Sequence, residues 1–333
     1  MNMKPSLRAL AVCAGLSLAT GGASAQMFKD TALEALHVAG KSAELQRVAA
    51  QRVAAQADDV QAVLALAVTA LAGGDASARQ TALARAEGCV QRLPQAAPCH
   101  YALGTVLGVQ ALSEGMLKAA RSAGTVKTAL MQAQALEPTW YPARSALVEF
   151  YLMAPGMMGG STAKAAELAA SAPVAEQARA LQARVALQDG KAETALLSLA
   201  PLLSVTEPEL ADDVRQWGAQ AAFNLVNNGQ AAKAQAFFER LTREHAGHAM
   251  GPYGLGRVRT EAGAFDEAVK LFDSSAALKG ADRLPIDYRK GIALQQAGRN
   301  DAAKLAFKTF VATGKGQKSS VEDARKRLEQ LGG

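Results

Sequence analysis

The stretch GAFDEAVKLFDSS, residues 263–275, stands between two near-copies of itself: GQAAKAQAFFERL at 229–241 and GRNDAAKLAFKTF at 298–310. The leading glycines, Gly229, Gly263 and Gly298, are 34 and 35 residues apart. Ala234, Ala268 and Ala303 keep that spacing, and so do Phe238, Phe272 and Phe307. Ahead of each copy lies another stretch of helical pattern, at 217–226, 253–261 and 288–296. Gly256 and Gly291 sit seven positions before the turn glycines, and Ala222 takes that place in the earlier unit. A turn glycine lets the chain leave one helix in the left-handed conformation. The small residues let the two helices of a pair approach closely, and the phenylalanines are expected to fill the gap to the next pair. One pair cannot bury its apolar stripe alone, so the units have to stack.

Working outward, residues 181–203 repeat the scheme around Gly190, with longer helices before Gly229. HYALGTVLG, from His100, begins another unit, which Pro138 closes. That unit holds about ten residues more than the repeat needs, assigned to 113–124, between its helices or extending them. The next unit starts at Thr139-Trp140. Its turn is the odd run ALVEFYLMAPGMMGGSTAKAAEL, 146–168, where Pro155, Gly156, Gly159 and Gly160 break the helix and Ser161 or Thr162 starts a new one. Residues 58–72 and 77–91 form a further pair around Gly73-Gly74; 31–57 is a leading helix or pair, and 321–331 a polar capping helix.

The period and positions resemble the tetratricopeptide repeat. Leu255-Gly256, Ala268 and Phe272 match its pattern, as do Gly291, Ala303 and Phe307. The resemblance is specific over 215–313 and degenerate elsewhere. FYLMAPGMMGG, with the longer helical stretch before it, is similar to an F-Y-x-x-A-P-G-x-x-G-G segment of exported proteobacterial tetratricopeptide proteins. The resemblance implies an all-α, right-handed superhelical solenoid of paired antiparallel helices, about eight pairs plus a C-terminal capping helix. It also implies that first-helix side chains line a concave face: Tyr253, Arg257 and Thr260, then Tyr288, Ile292 and Gln295. Tyr and Arg are common interface anchors; Tyr253 and Tyr288 equally suit packing between helices. The Lys and Asn carboxylate grip used by some members for peptide tails is missing.

Composition agrees with helix. The chain has 333 residues, of which 5% are aromatic, and its apolar content is largely alanine and leucine. Lys4 and Arg8, an apolar run at 10–19 and the small-x-small Ala23-Ser24-Ala25 form a secretion signal, with the mature chain expected to start at Gln26. Residues 26–333 are then one repeat domain, soluble in the periplasm. Val12 before Cys13 fits a lipoprotein signal poorly. Removal of Lys4 and Arg8 takes the formal charge from +6 to +4, too little and too scattered for nucleic acid. Cys89 and Cys99 remain, ten positions apart, and an exported chain can pair them as a disulfide or keep them as thiols.

Catalytic and metal patterns are weak. MMGGSTAK lacks the lysine after Gly160 that a phosphate loop needs, and Ser161 or Thr162 reads as a helix cap. His245 and His248 have a metal-like spacing with no further ligand beyond Glu244; His37 and His100 stand apart. Asp58-Asp59 and Asp212-Asp213 read as helix-start acids. No cofactor and no metal are expected. An enzyme site near 144–162, with Arg144 and Ser161, is the least favoured reading. The favoured one is a non-catalytic scaffold for a protein or peptide partner in the cell envelope; the alternative is a glycan or other envelope ligand in the groove. Met157 and Met158 are expected to pack near Met116 and Leu117 as an apolar rim, either a buttress or the partner site.

Overall fold

The computed structural model describes residues 25–73, 75–314 and 316–332. The expected secretion signal, apart from Ala25, and one glycine of the 73–74 turn lie outside them. The described residues form an all-α solenoid of stacked antiparallel helix pairs. α1 (Thr31–Val38) pairs with α2 (Ser42–Ala55), and α3 (Val60–Gly73) with α4 (Ala76–Arg92). α5 (Ala97–Ser113) pairs with α6 (Met116–Leu136), α7 (Tyr141–Met153) with α8 (Thr162–Ala170), and α9 (Ala175–Gln188) with α10 (Ala192–Leu199). α11 (Pro208–Asn227) pairs with α12 (Ala231–Glu244), α13 (Met250–Glu261) with α14 (Phe265–Ala276), and α15 (Ile286–Gln296) with α16 (Asn300–Ala312). α17 (Lys318–Gln330) covers the end of the stack; Ala324 is its one buried residue. That makes eight pairs and a cap among the described residues.

The repeat glycines do what their spacing implies. Gly229, Gly263 and Gly298 have φ of 73°, 76° and 72°, a region where a side chain is strained. The carbonyl left free at each helix end is taken up by the turn: Ala264 N–H, for instance, donates to Arg259 O. The phenylalanines extend one expectation. Phe272 and Phe307 close their own pair, not only the gap to the next one. They lie across the partner helix of their own pair, where a Cβ on Gly256 would stand 2.7 Å from the Phe272 ring and one on Gly291 2.6 Å from the Phe307 ring. Both rings are fully buried, each stabilising its pair by roughly 1.5–3 kcal/mol. Phe238 does bridge units, pressing on Gly254 of α13.

Side by side, α3 and α5, then α7, α9, α11, α13 and α15 form an inner layer of first helices. The second helices stand outside and touch one another much less, so the inner layer is the concave one. Cys89 near the end of α4 is bonded to Cys99 at the start of α5, their Cα atoms 5.5 Å apart. Both cysteines are buried beside Trp140 and Ala143. No described helix is long and apolar enough to cross a membrane.

The unit with surplus residues is built differently from its neighbour. The extra length lengthens the helices and leaves their turn small: α5 runs to Ser113, α6 starts at Met116, and Gly115 with φ 102° turns the chain between them. Only the following unit has an enlarged turn, residues 154–161, with a 3₁₀ turn at Gly156–Met158.

Candidate functional site

The concave face is occupied by the chain's own first described residues. Residues 25–30 run along the inner helices with bends at Met27, Lys29 and Asp30, and continue into α1. Their main chain is held by contacts from three elements. Glu209 N–H of α11 donates to Ala25 O at 3.2 Å. The indole Nε1–H of Trp140, at the start of α7, donates to Gln26 O at 3.0 Å. Gln61 Oε1 of α3 accepts from Lys29 N–H at 2.8 Å and Asp30 N–H at 3.3 Å. Met27, Phe28 and Leu33 are buried in one cluster with Leu64, Ala97 and Trp140, with Tyr101 packed against it.

Charged groups fasten the same strap. Lys29 Nζ lies 2.8 Å from Glu137. Asp30 caps α1 and receives Arg52 Nη1 at 2.6 Å. Glu34 Oε2 accepts from Phe28 N–H, and burial raises its carboxyl above the usual range. His37 Nε2 meets Glu209 at 2.7 Å, and that hydrogen bond raises the imidazole above its ordinary value. One turn along α11 from Glu209, Asp213 accepts from Tyr141 Oη at 2.7 Å and Ser145 Oγ at 2.8 Å. Burial pushes Asp213 up to about 7, and the neighbouring acids Glu209 and Glu149 add to the shift. Asp212-Asp213 therefore lies inside α11, beyond its first turn. Asp59 does cap α3, accepting from Ala62 N–H.

A cleft of about 880 Å³ opens beyond the strap. His37, Glu209, Arg215, His248, Lys279 and Arg283 are among its walls. Lys279 reaches Gly40, in the first turn of the solenoid. Lys279 also exchanges main-chain hydrogen bonds with the loop before α13, through Gly247 O and Ala249 N–H. Burial lowers His248, and Arg215, Lys279 and His245 nearby push it the same way. Arg215 is paired with Asp212.

The residues singled out in the sequence fall in separate places. Tyr253 is 4% exposed, Arg257 8% and Tyr288 8%. Tyr253 packs between Phe223 and Phe272. Arg257 lies over the Phe223 ring and donates to Asn227 Oδ1 at 2.6 Å. Tyr288 bonds Asp323 of the cap at 2.9 Å. The three side chains are committed to neighbouring helices of the stack. The 3₁₀ turn at Gly156–Met158 packs on α6, so this one enlarged turn lies on the edge of the α5–α6 hairpin. Its resting point is Lys127, which Gly159 approaches, roughly 16 Å along α6 from Met116 at 1.5 Å per residue. Met157 is 96% exposed and does not pack on Met116 or Leu117, each 66% exposed; Met158 is half-buried.

Arg144 and Ser161 have structural partners. Arg144 donates to Leu168 O, Pro138 O and Ser171 Oγ. Ser161 Oγ caps α8. His245 bonds Leu203 O, and the His245 and His248 rings are 6.4 Å apart. Among the described residues no group of three His, Cys, Asp or Glu side chains is placed to hold a metal ion. Sequence reasoning missed Gln61, Trp140, His37, Glu209 and Asp213 as a set. The available signal was the apolar pair Met27-Phe28 directly after the expected cleavage point.

The pairing of the helices defines the class: a helical-hairpin solenoid whose inner face carries a strap of its own chain. No protein-family model matches the sequence, and no curated protein does. Among solved structures it is similar to the assembly chaperone of RpL4 (Acl4), at 13% identity and a TM-score of 0.37, over 82% of this chain and 97% of that one. It is also similar to the TPR domain of P58(IPK), at 14% identity and a TM-score of 0.28, over 90% of this chain and 97% of that one.

Proposed function

We propose that the protein is a non-catalytic scaffold of the bacterial cell envelope that binds a protein or peptide partner along its concave face. One observation carries the reading: the inner face already holds the main chain of residues 26–30 through an indole and a glutamine side chain. These donors and acceptors read the backbone, and the buried Met27 and Phe28 supply apolar anchors. Groups of that kind suit an extended peptide of apolar and basic residues.

The location is part of the proposal. Export rests on the basic and apolar segments before Ala25, and the bonded Cys89–Cys99 pair fits an oxidising compartment. The similarity of FYLMAPGMMGG to exported proteobacterial repeat proteins points the same way. Terminal sequencing of the exported protein should read from Gln26; an acylated Cys13 would overturn a soluble periplasmic location.

Crosslinking in the native periplasm, followed by identification of what is attached, tests the scaffold. A defined protein crosslinked at inner-face positions is the expected result. A second reading, binding of an anionic or glycan fragment of the envelope, is favoured by the cleft beside His248 and Lys279. No stable partner, together with a thermal shift on adding cell-wall fragments, would replace the first reading with the second.

A further inference from the structure

The α5–α6 hairpin is longer than the pair that follows it. α5 and α6 have 17 and 21 residues, against 13 and nine for α7 and α8. The next unit's turn approaches α6 at Lys127, roughly 16 Å along the helix from Met116, so the first turns of α6 lie ahead of it. The turn end of the hairpin is apolar where a solvated helix end would be polar. Leu112 is 58% exposed and Val109 43%, on α5; Met116 and Leu117 begin α6. Met153, at the end of α7, and Met157, in the turn after it, are exposed farther back. Apolar side chains gathered on one hairpin end are unlike the scattered apolar residues of an ordinary surface.

Charge surrounds this tip on its sides. Lys118, Arg121 and Lys127 follow along α6, and Lys164 lies in the first turn of α8. Glu114 opposes them and is engaged by Lys118 at 3.5 Å and Gln110 at 2.9 Å. Among the described residues Arg121, Lys127 and Lys164 form no ion pair. We propose that this tip seats the protein on an anionic lipid bilayer. Leu112, Met116 and Leu117 enter the interface while Lys118 and Arg121 lie against the headgroups.

The shape and the charge favour a bilayer over a folded partner. The surface is convex and formed largely of flexible, unbranched methionine together with leucine, with no groove or fixed polar donor to set a register. Apolar residues entering the acyl boundary, backed by Lys and Arg, are how a peripheral protein binds without spanning. The concave face looks elsewhere, so membrane seating leaves the strap and cleft accessible. This surface is independent of the scaffold reading.

Flotation of the full mature chain with vesicles is the test. Phosphatidylcholine alone should leave the protein at the bottom of the gradient. Vesicles containing about a third phosphatidylglycerol should carry it upward, with binding weakened by salt. The double variant Met116→Glu/Leu117→Glu should lower binding by about tenfold or more. Lys118→Glu/Arg121→Glu should lower it by about fivefold per cation removed. All four positions are exposed, so circular dichroism and melting should match the parent. Absence of flotation with anionic vesicles overturns the proposal. So does flotation that Met116→Glu/Leu117→Glu leaves intact. Sedimentation showing a lipid-free dimer abolished by the same substitutions would also overturn it, making the tip a contact between copies.

Discussion

The indole N–H of Trp140 donates to the main-chain carbonyl of Gln26 across 3.0 Å, joining residues 114 apart in the chain. Trp140 is buried, so replacing it removes a hydrogen bond in a place water does not reach. Trp140→Phe keeps most of the packing and loses the donor. It should cost about 1 kcal/mol and raise amide exchange across residues 26–38 before it affects α13 to α16. Uniform exchange over the whole molecule would mean that the strap opens only with global unfolding.

The acids under the strap set a pH dependence. Asp213 ionises at about 7 in the folded protein against an ordinary 3.8. Folding therefore favours its neutral form, and stability should fall as pH rises from about 4 to about 7. His37 is raised by Glu209. Its contribution is full below its ordinary 6.5 and fades as pH climbs through the folded value. Both groups act in one direction, so urea midpoints should be higher at pH 5 than at pH 8. Asp213→Asn should flatten the lower part of that slope and His37→Gln the upper part. A midpoint that rises over this range would contradict the assignment.

The broken turn before α8 separates two glycines that look alike in the sequence. A Cβ at Gly160 would overlap the carbonyl of Ala154, whereas one at Gly156 would meet nothing within 4 Å. Gly160→Ala should destabilise by about 1–3 kcal/mol, since backbone has to shift, while Gly156→Ala should be near neutral. Thermal melts of the two variants give the comparison; equal effects would mean that the turn relaxes freely.

Reduction tests the tie between α4 and α5. The Cys89–Cys99 pair closes a short loop, with a sequence separation of 10, for which the chain-entropy account gives about 3 kcal/mol. Cys89→Ser/Cys99→Ser, or the parent in reductant, should melt lower by several degrees. An unchanged melt would show that packing of α4 on α5 already holds the two ends.

Much of the architecture was legible because a helix pair repeats its own local physics. A glycine with positive φ, a small residue and a phenylalanine recur together, and from them the eight pairs and the cap can be counted along the chain. The place of the phenylalanines was not legible. Period alone does not say which backbone a ring presses on: Phe272 lies on Gly256 of its own pair and Phe238 on Gly254 of the next. The surplus in the His100 unit was ambiguous for a related reason. Alanine-rich sequence is helical whether it lengthens a helix or enlarges a turn, and Gly115 alone settles where α5 ends.

The site was hidden by distance along the chain. Trp140 marks the start of a unit and Tyr141 follows it, yet nothing near them names Gln26 or Asp213 as their partners. His37 looked like an isolated histidine, and Glu209 lies 172 residues further on. By itself the sequence determined the helices, their pairing and the turns, since each depends on residues within one or two units. Only the tertiary structure decided that the concave face holds residues 25–38, that Tyr253, Arg257 and Tyr288 are consumed by packing, and that the α5–α6 tip is left exposed. Those outcomes depend on how far the stack curves, which sums small contributions from every interface and belongs to no single stretch of chain.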